Sequence, residues 1–201
     1  ALILGLVWFV SRIFWDLRVI HGERLSSENA IFVANHQSNL DAPWIVGALP
    51  YRLRKRLFII GKREVSFLGL FFAGEPLLFV DRRGDVLPAL KAAADVLRSG
   101  MSLLIFPEGT RSSDGTLGPL KSGAAYLAKH LERPVIPVTV EGSFTILPRG
   151  KALPDHFFEA KGKLVVGDPI DPRTHDSVKA LNEAIRLALL KGRSKDHPVN
   201  D

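Results

Sequence analysis

The sequence predicts a layered α/β fold: a central, mostly parallel or mixed β-sheet flanked by helices, with an apolar helix ahead of it. Short apolar runs bounded by Gly, Pro or polar residues recur along the chain, as strands buried on both faces require. Stretches with helical periodicity and cap residues alternate with those runs, the pattern of strands joined by helical crossovers. The first ten residues are apolar without a break.

The elements follow in order. Residues 1–10 are apolar, Ser11 and Arg12 interrupt, and Ile13-Phe14-Trp15 resume. A helix over this stretch is ~25 Å long at 1.5 Å per residue, short of the ~20 apolar residues that span a bilayer. Trp8, Trp15 and Arg12 suit a membrane interface, so an interfacial anchor is the preferred reading and a buried core helix the alternative. The absence of an initial Met reads as the stump of a longer segment. Strands are predicted at 30–34, 57–60, 77–80, 102–106, 135–140 and 163–166. Asp85 is a candidate N-cap for a helix running to Ser99, with Val86, Leu90, Ala93 and Leu97 on one face and Gly100 at the stop. Ser122 is a candidate cap for a helix through Leu131. Ser177 is another, with Val178, Leu181, Ile185 and Leu189 as the apolar stripe. The polar stretch 149–159 reads as an insertion or lid, and 191–201 as a polar tail.

Composition narrows the chemistry. The chain has 201 residues, enough for one domain with a sizeable core. It has no cysteine, which excludes disulfides, a thiolate nucleophile and zinc-thiolate sites. The net charge of +6 suits an anionic partner: a nucleic acid, an anionic membrane surface or a phosphorylated substrate. Nucleic acid is the weakest of the three, because only Arg52, Arg54, Lys55 and Arg56 cluster and no nucleic-acid motif accompanies them. That cluster reads better as a contact for anionic lipid.

Two strand ends carry the chemistry. The first apolar run ends in Asn35-His36-Gln37-Ser38-Asn39-Leu40-Asp41, and another ends in Phe106-Pro107-Glu108-Gly109-Thr110-Arg111-Ser112. Ligands in open α/β sheets bind outside the carboxyl ends of strands, so the two blocks are expected to share one cleft. Histidine is the natural base for a hydroxyl near neutral pH, and an aspartate that fixes its tautomer completes the pair. A strand-to-helix turn over the intervening residues could fold Asp41 back onto His36. In the alternative reading His36 only caps the helix start and Asp41 solvates it. Ser38 is close in sequence, but no Gly-x-Ser-x-Gly elbow occurs, so the nucleophilic hydroxyl is assigned to the substrate. In the second block Gly109 permits close backbone approach, Thr110 and Ser112 add hydroxyls, and Arg111 can grip a phosphate through two N–H bonds. Arg82 ends another apolar run and can join it, or else pair with Asp81 or Asp85. Lys62 and Lys121 are further cationic candidates. Glu108 is either part of the site or a fold-stabilising hydrogen-bond acceptor.

Together these residues resemble the glycerolipid acyltransferases, and among them the 1-acylglycerol-3-phosphate (lysophosphatidic acid) acyltransferases. Asn35-His36-x-x-x-x-Asp41 is similar to their first motif. The stretch from Gly74 to Phe79-Val80-Asp81-Arg82 is similar to the second, Phe106 to Ser112 to the third, and Val135-Ile136-Pro137-Val138 to the fourth. The four stand in family order over roughly residues 20 to 170. The resemblance implies a membrane-associated, monotopic enzyme at the cytoplasmic face of the cell membrane. It implies transfer of an acyl group from acyl-CoA or acyl-carrier protein to the free hydroxyl of 1-acylglycerol 3-phosphate, giving phosphatidic acid without an acyl-enzyme. His36 is implied as general base and Asp41 as its orienting partner, with Arg82, Glu108, Gly109, Thr110 and Arg111 holding the glycerol phosphate. No metal or cofactor is implied beyond the acyl donor as co-substrate. A two-helix N-terminal membrane motif is also implied, of which the sequence carries one clear helix. Residue 39 is Asn where many relatives carry an aromatic residue, a departure that bears on the acceptor. The corresponding division is 1–20 as a membrane-associated helix, 21–190 as the acyltransferase domain and 191–201 as a tail. The run 67–72 is a candidate acyl-chain lining, or ordinary core. Rival readings are an acyltransferase for glycerol 3-phosphate or another lysophospholipid, and a lipid-binding membrane protein without catalysis.

Overall fold

The computed structural model describes residues 2–62, 77–80 and 86–193. Seven strands form one sheet: β1 (Arg18–Ile20), β2 (Ile31–Ala34), β3 (Leu57–Lys62), β4 (Leu77–Val80), β5 (Ser102–Ile105), β6 (Val135–Glu141) and β7 (Lys163–Val166). Their order is β1-β7-β6-β2-β5-β3-β4. Neighbours are parallel except β6 and β7, so the sheet is mixed and mostly parallel, as the sequence predicts. Six strands fall at their predicted places to within two residues. The seventh, β1, is three residues long on the sheet edge, with two of the three exposed, so it carries no apolar signal.

Among the described residues the α-helices are α1 (Leu2–Phe14), α2 (Asp41–Ala48), α3 (Tyr51–Arg54), α4 (Val86–Arg98), α5 (Gly123–Leu131), α6 (Ser143–Ile146) and α7 (Val178–Gly192). Strand alternation divides the core in two. On one face Phe32, Ala34, Leu104, Ile136, Val138 and Val140 meet Trp44, Ile45 and Val46 of α2 and Leu4 of α1. On the other Ile31, Val33, Leu103, Ile105 and Val135 meet Ala93 and Leu97 of α4, Ala124 to Ala128 of α5, and Leu181, Ile185 and Leu189 of α7. Ser177 caps α7 as its sequence predicts, accepting from the Ala180 N–H. Ser122 precedes α5 without a side-chain cap bond. Helix α7 continues to Gly192, so the predicted tail begins inside a helix.

The N-terminal helix is half core. Trp15 is 3% exposed and its indole N–H donates to the Asp155 carbonyl at 3.1 Å. Buried Ser11 accepts the Trp44 indole N–H at 2.8 Å. Trp8 packs on Gly47, where an added Cβ would come within 2.8 Å of the ring. The expectation that the tryptophans face a membrane is therefore corrected: Trp8 seats α1 on α2, Trp15 packs under Asp155 and Phe157, and the outward face is Leu6, Phe9 and Ile13. No helix among the described residues is long and apolar enough to cross a membrane. The end of the stretch 149–159 is tied to the N-terminal segment. The Phe158 N–H donates to the Phe14 carbonyl at 2.7 Å, and Phe157 stacks on Trp15 with centroids 5.2 Å apart.

The basic cluster lies before β3, at the opposite end of the sheet from the two chemical blocks. Arg54 donates to the Leu49 and Gly47 carbonyls, and Arg52 pairs with Glu28 at 3.0 Å. Arg54 is held by the protein, while Arg52 stays 75% exposed in its ion pair and Arg56 44% exposed. Gly74, Asp81, Arg82, Asp85 and the run 67–72 lie outside the described residues.

Candidate active site

Strands β2 and β5 are adjacent and parallel, pairing Ile31 with Leu103 and Val33 with Ile105. Their carboxyl ends therefore deliver residues 35–38 and 106–112 to one edge. The chain leaves β2 for α2 on one face of the sheet and leaves β5 for α5 on the other. Two strands whose following helices diverge leave a crevice between them, the place where open α/β sheets bind ligands.

Asn35 sets the exit from β2. Its side chain copies a strand rung, donating to the Val140 carbonyl at 2.9 Å and accepting the Val140 N–H at 2.7 Å. His36 follows. Its Nδ1 lies 2.8 Å from Asp41 Oδ2, and its ring stacks on Phe106 with centroids 4.1 Å apart. Asp41 opens α2 and is fully buried. The same Oδ2 accepts the Gln37 N–H at 2.6 Å and the Ser38 N–H at 2.7 Å, so one carboxylate oxygen closes the turn and orients the imidazole. Asp41 Oδ1 is buried without a hydrogen-bond partner. A carboxylate at Nδ1 places the ring proton there and leaves Nε2 free to accept one.

The second block wraps the first. The Ser112 N–H donates to the His36 carbonyl at 2.7 Å, and the His36 N–H donates to Glu108 Oε1 at 2.7 Å. Glu108 Oε2 accepts the Gly118 N–H at 2.8 Å. Both carboxylate oxygens are thus taken up by backbone, and Glu108 is a strut between the two loops, one of the two readings its sequence left open. Burial pushes its carboxyl above the usual carboxylate range, against the pull of the His36 and Gly118 N–H donors. Gly109 adopts φ +71°, and Lys121 Nζ lies within 3.0 Å of where its Cβ would stand. Thr110 and Arg111 line a cleft of about 310 Å³ together with Glu108, Ser112 and Arg149. Burial and the Arg149 charge hold the Arg111 guanidinium below the ordinary arginine range, while Asp41 pulls it upward.

His36 and Asp41 thus meet, and Glu108, Gly109, Thr110 and Arg111 gather beside them. Ser38 is fully buried with its hydroxyl donating to the Leu147 carbonyl at 2.7 Å, a structural position. Sequence reasoning missed the Asn35 clamp, whose signal is a polar amide ending a wholly apolar run. It also missed Arg149, which sits in a stretch that reads as surface insertion.

A family model for the acyltransferase domain matches residues 16–141. The chain belongs to the acyltransferase family. Four residue positions that carry the site, His36, Asp41, Glu108 and Arg111, fall inside the match. This acyltransferase-family chain is 36% identical over 152 residues to the human 1-acyl-sn-glycerol-3-phosphate acyltransferase beta, covering 69% of this chain and 52% of that protein. It is 32% identical over 136 residues to a chloroplastic 1-acyl-sn-glycerol-3-phosphate acyltransferase of Brassica napus, covering 67% of this chain and 39% of that one. The crystal structure of a 1-acyl-sn-glycerophosphate (LPA) acyltransferase from Thermotoga maritima superposes with a TM-score of 0.73 at 26% identity, over 94% of this chain and 78% of that chain. The match to the curated relatives spans roughly half of their length or less.

Proposed function

We propose that this chain transfers an acyl group from a thioester donor, acyl-CoA or acyl-carrier protein, to the free hydroxyl of 1-acylglycerol 3-phosphate, giving phosphatidic acid. The observation that carries the reading is the His36–Asp41 contact beside a cleft lined by Arg111. In this reading His36 Nε2 takes the proton of the acceptor hydroxyl as its oxygen attacks the thioester carbonyl. The imidazolium that forms is stabilised by Asp41 and returns the proton to the departing thiolate. Arg111 grips the acceptor phosphate and the Thr110 hydroxyl adds a donor, while Gly109, whose N–H is taken by the Phe106 carbonyl, lets the chain turn there. Arg82 remains a proposed second cation for that phosphate. The buried hydroxyl of Ser38 and the absence of cysteine favour direct transfer over an acyl-enzyme.

A charge-assisted hydrogen bond contributes ~1.5–3 kcal/mol. Arg111→Ala is therefore expected to lower kcat/KM for the phosphorylated acceptor by roughly ten- to a hundredfold, with Lys recovering part of the loss. An acceptor without phosphate is the control. If the unaltered protein uses it equally well, Arg111 is not a phosphate ligand. Mass spectrometry of protein incubated with donor alone is expected to show no acyl adduct, and a stable acyl-Ser38 would replace direct transfer with a two-step route.

The reading places the chain on a membrane surface, at its cytoplasmic face. Leu6 and Phe9 are 60% and 61% exposed on α1, and Phe158 is 72% exposed where the insertion meets Phe14. Arg12 and Lys161 are exposed, and both act on Asp16 just after α1. An exposed apolar ridge with basic residues near it suits anionic lipid. Deleting residues 1–17 would also remove Leu4, Ser11 and Trp15 from the core, so the outward face is the better target. Phe9→Ser with Phe158→Ser is expected to reduce sedimentation with anionic liposomes by roughly tenfold or more, each ring contributing ~1.5–3 kcal/mol on burial. Unchanged sedimentation would remove the ridge from membrane binding.

A further inference from the structure

We infer that Arg149, which lies outside the family-matched residues, is a specificity-determining residue that joins Arg111 in selecting an acceptor whose phosphate is a monoester. The inference rests on the acyltransferase reading and extends it. Arg149 follows Leu147 and Pro148 where the chain leaves α6, and its side chain lines the same cleft as Arg111. Among the described residues neither guanidinium makes a hydrogen bond or an ion pair.

The acidic groups of the cleft are already engaged. Glu108 accepts two backbone N–H bonds, and Asp114 Oδ1 turns onto its own loop to accept from Ser112 Oγ, the Thr116 N–H and Thr116 Oγ1. Those contacts, the Thr116 hydroxyl first, hold the Asp114 carboxyl down at about 2. Two like charges thus share a small cleft, and among the described residues neither forms an ion pair with a carboxylate, Asp41 acting on Arg111 only at longer range. The Arg149 charge also opposes that of Arg111, which is consistent with that arrangement. A concave site with two unpaired guanidinium groups attracts an anion, and each planar fork can offer two parallel N–H bonds to phosphate.

Charge then discriminates between acceptors. A phosphate monoester carries about −1.5 to −2 at pH 7 and three terminal oxygens. A phosphodiester headgroup carries a single charge and offers fewer free oxygens. One guanidinium serves either group. The second finds a full partner only on the monoester.

The test compares kcat/KM for 1-acylglycerol 3-phosphate with that for a lysophospholipid bearing a phosphodiester headgroup. Wild type, Arg149→Ala, Arg149→Lys and His36→Ala are assayed with one acyl thioester, and equilibrium binding of 1-acylglycerol 3-phosphate is measured for each. Arg149→Ala is expected to lower the monoester-to-diester ratio by about tenfold, the effect of one lost charge-assisted contact. The loss should appear in the acceptor KM and in binding, and Lys should restore part of it. His36→Ala is expected to keep binding while losing turnover, which separates this inference from the function it rests on. A ratio for Arg149→Ala within threefold of wild type, or binding unchanged, overturns the inference and leaves the acyltransferase reading standing.

Discussion

His36→Ala is expected to lower turnover by roughly a hundred- to ten-thousandfold, the usual worth of a positioned general base. That corresponds to ~3–5 kcal/mol of barrier. The magnitude follows from the geometry. With Nδ1 held by Asp41, Nε2 is the basic nitrogen, and stacking on Phe106 limits ring rotation. The side chains of the other described histidines are engaged elsewhere: His21 with Glu23, His130 with Tyr126, His156 with Glu159, and His175 with Thr174 and Asp171. The side chain of His36 is 22% exposed, its backbone N–H and carbonyl bond the second block, and Asp41 keeps the Gln37 and Ser38 N–H donors without the imidazole. Removing the imidazole should therefore leave the melting temperature within a few degrees of wild type. Steady-state turnover and thermal melts on one preparation check both statements. Near-full activity would remove His36 from the chemistry.

Asp41→Asn is expected to cost about a hundred- to ten-thousandfold in kcat while leaving a folded protein. The amide keeps an oxygen that can accept the Gln37 and Ser38 N–H bonds, so the turn into α2 can still close. It loses the charge that stabilises the imidazolium and that favours a proton on Nδ1. An amide N–H turned toward Nδ1 would reverse the tautomer and place the proton on the nitrogen meant to receive one. Asp41→Ala should do more damage, because it leaves two N–H groups without acceptors in a buried turn. Comparing kcat with circular dichroism for the Asn and Ala proteins separates the two effects. Equal activity in Asp41→Asn and wild type would reduce Asp41 to a helix-start residue.

Much of the architecture was legible because buried parallel strands have a distinctive sequence form. The runs around Ile31–Ala34 and Ser102–Ile105 are apolar at every position, and both are buried throughout. Their abrupt polar ends marked the carboxyl edge of the sheet, and adjacency of β2 with β5 brought the two blocks together. What was not legible depended on partners far along the chain. Trp15 reads as an interface residue until Asp155 and Phe157 close over it. Glu108 reads equally as ligand or strut until the His36 and Gly118 N–H groups are seen to take both oxygens. Arg149 stands in a polar stretch with no periodicity, and only its return to the cleft beside Arg111 distinguishes it from a surface arginine.

The central claim is that the His36–Asp41 pair acts on an acceptor held by its phosphate. It is tested most directly by incubating the purified chain with an acyl thioester and 1-acylglycerol 3-phosphate in lipid vesicles and quantifying phosphatidic acid by mass spectrometry. The account predicts phosphatidic acid in proportion to wild-type enzyme, and a loss of at least a hundredfold with His36→Ala. No phosphatidic acid above the protein-free rate, or equal formation by the His36→Ala protein, would contradict it.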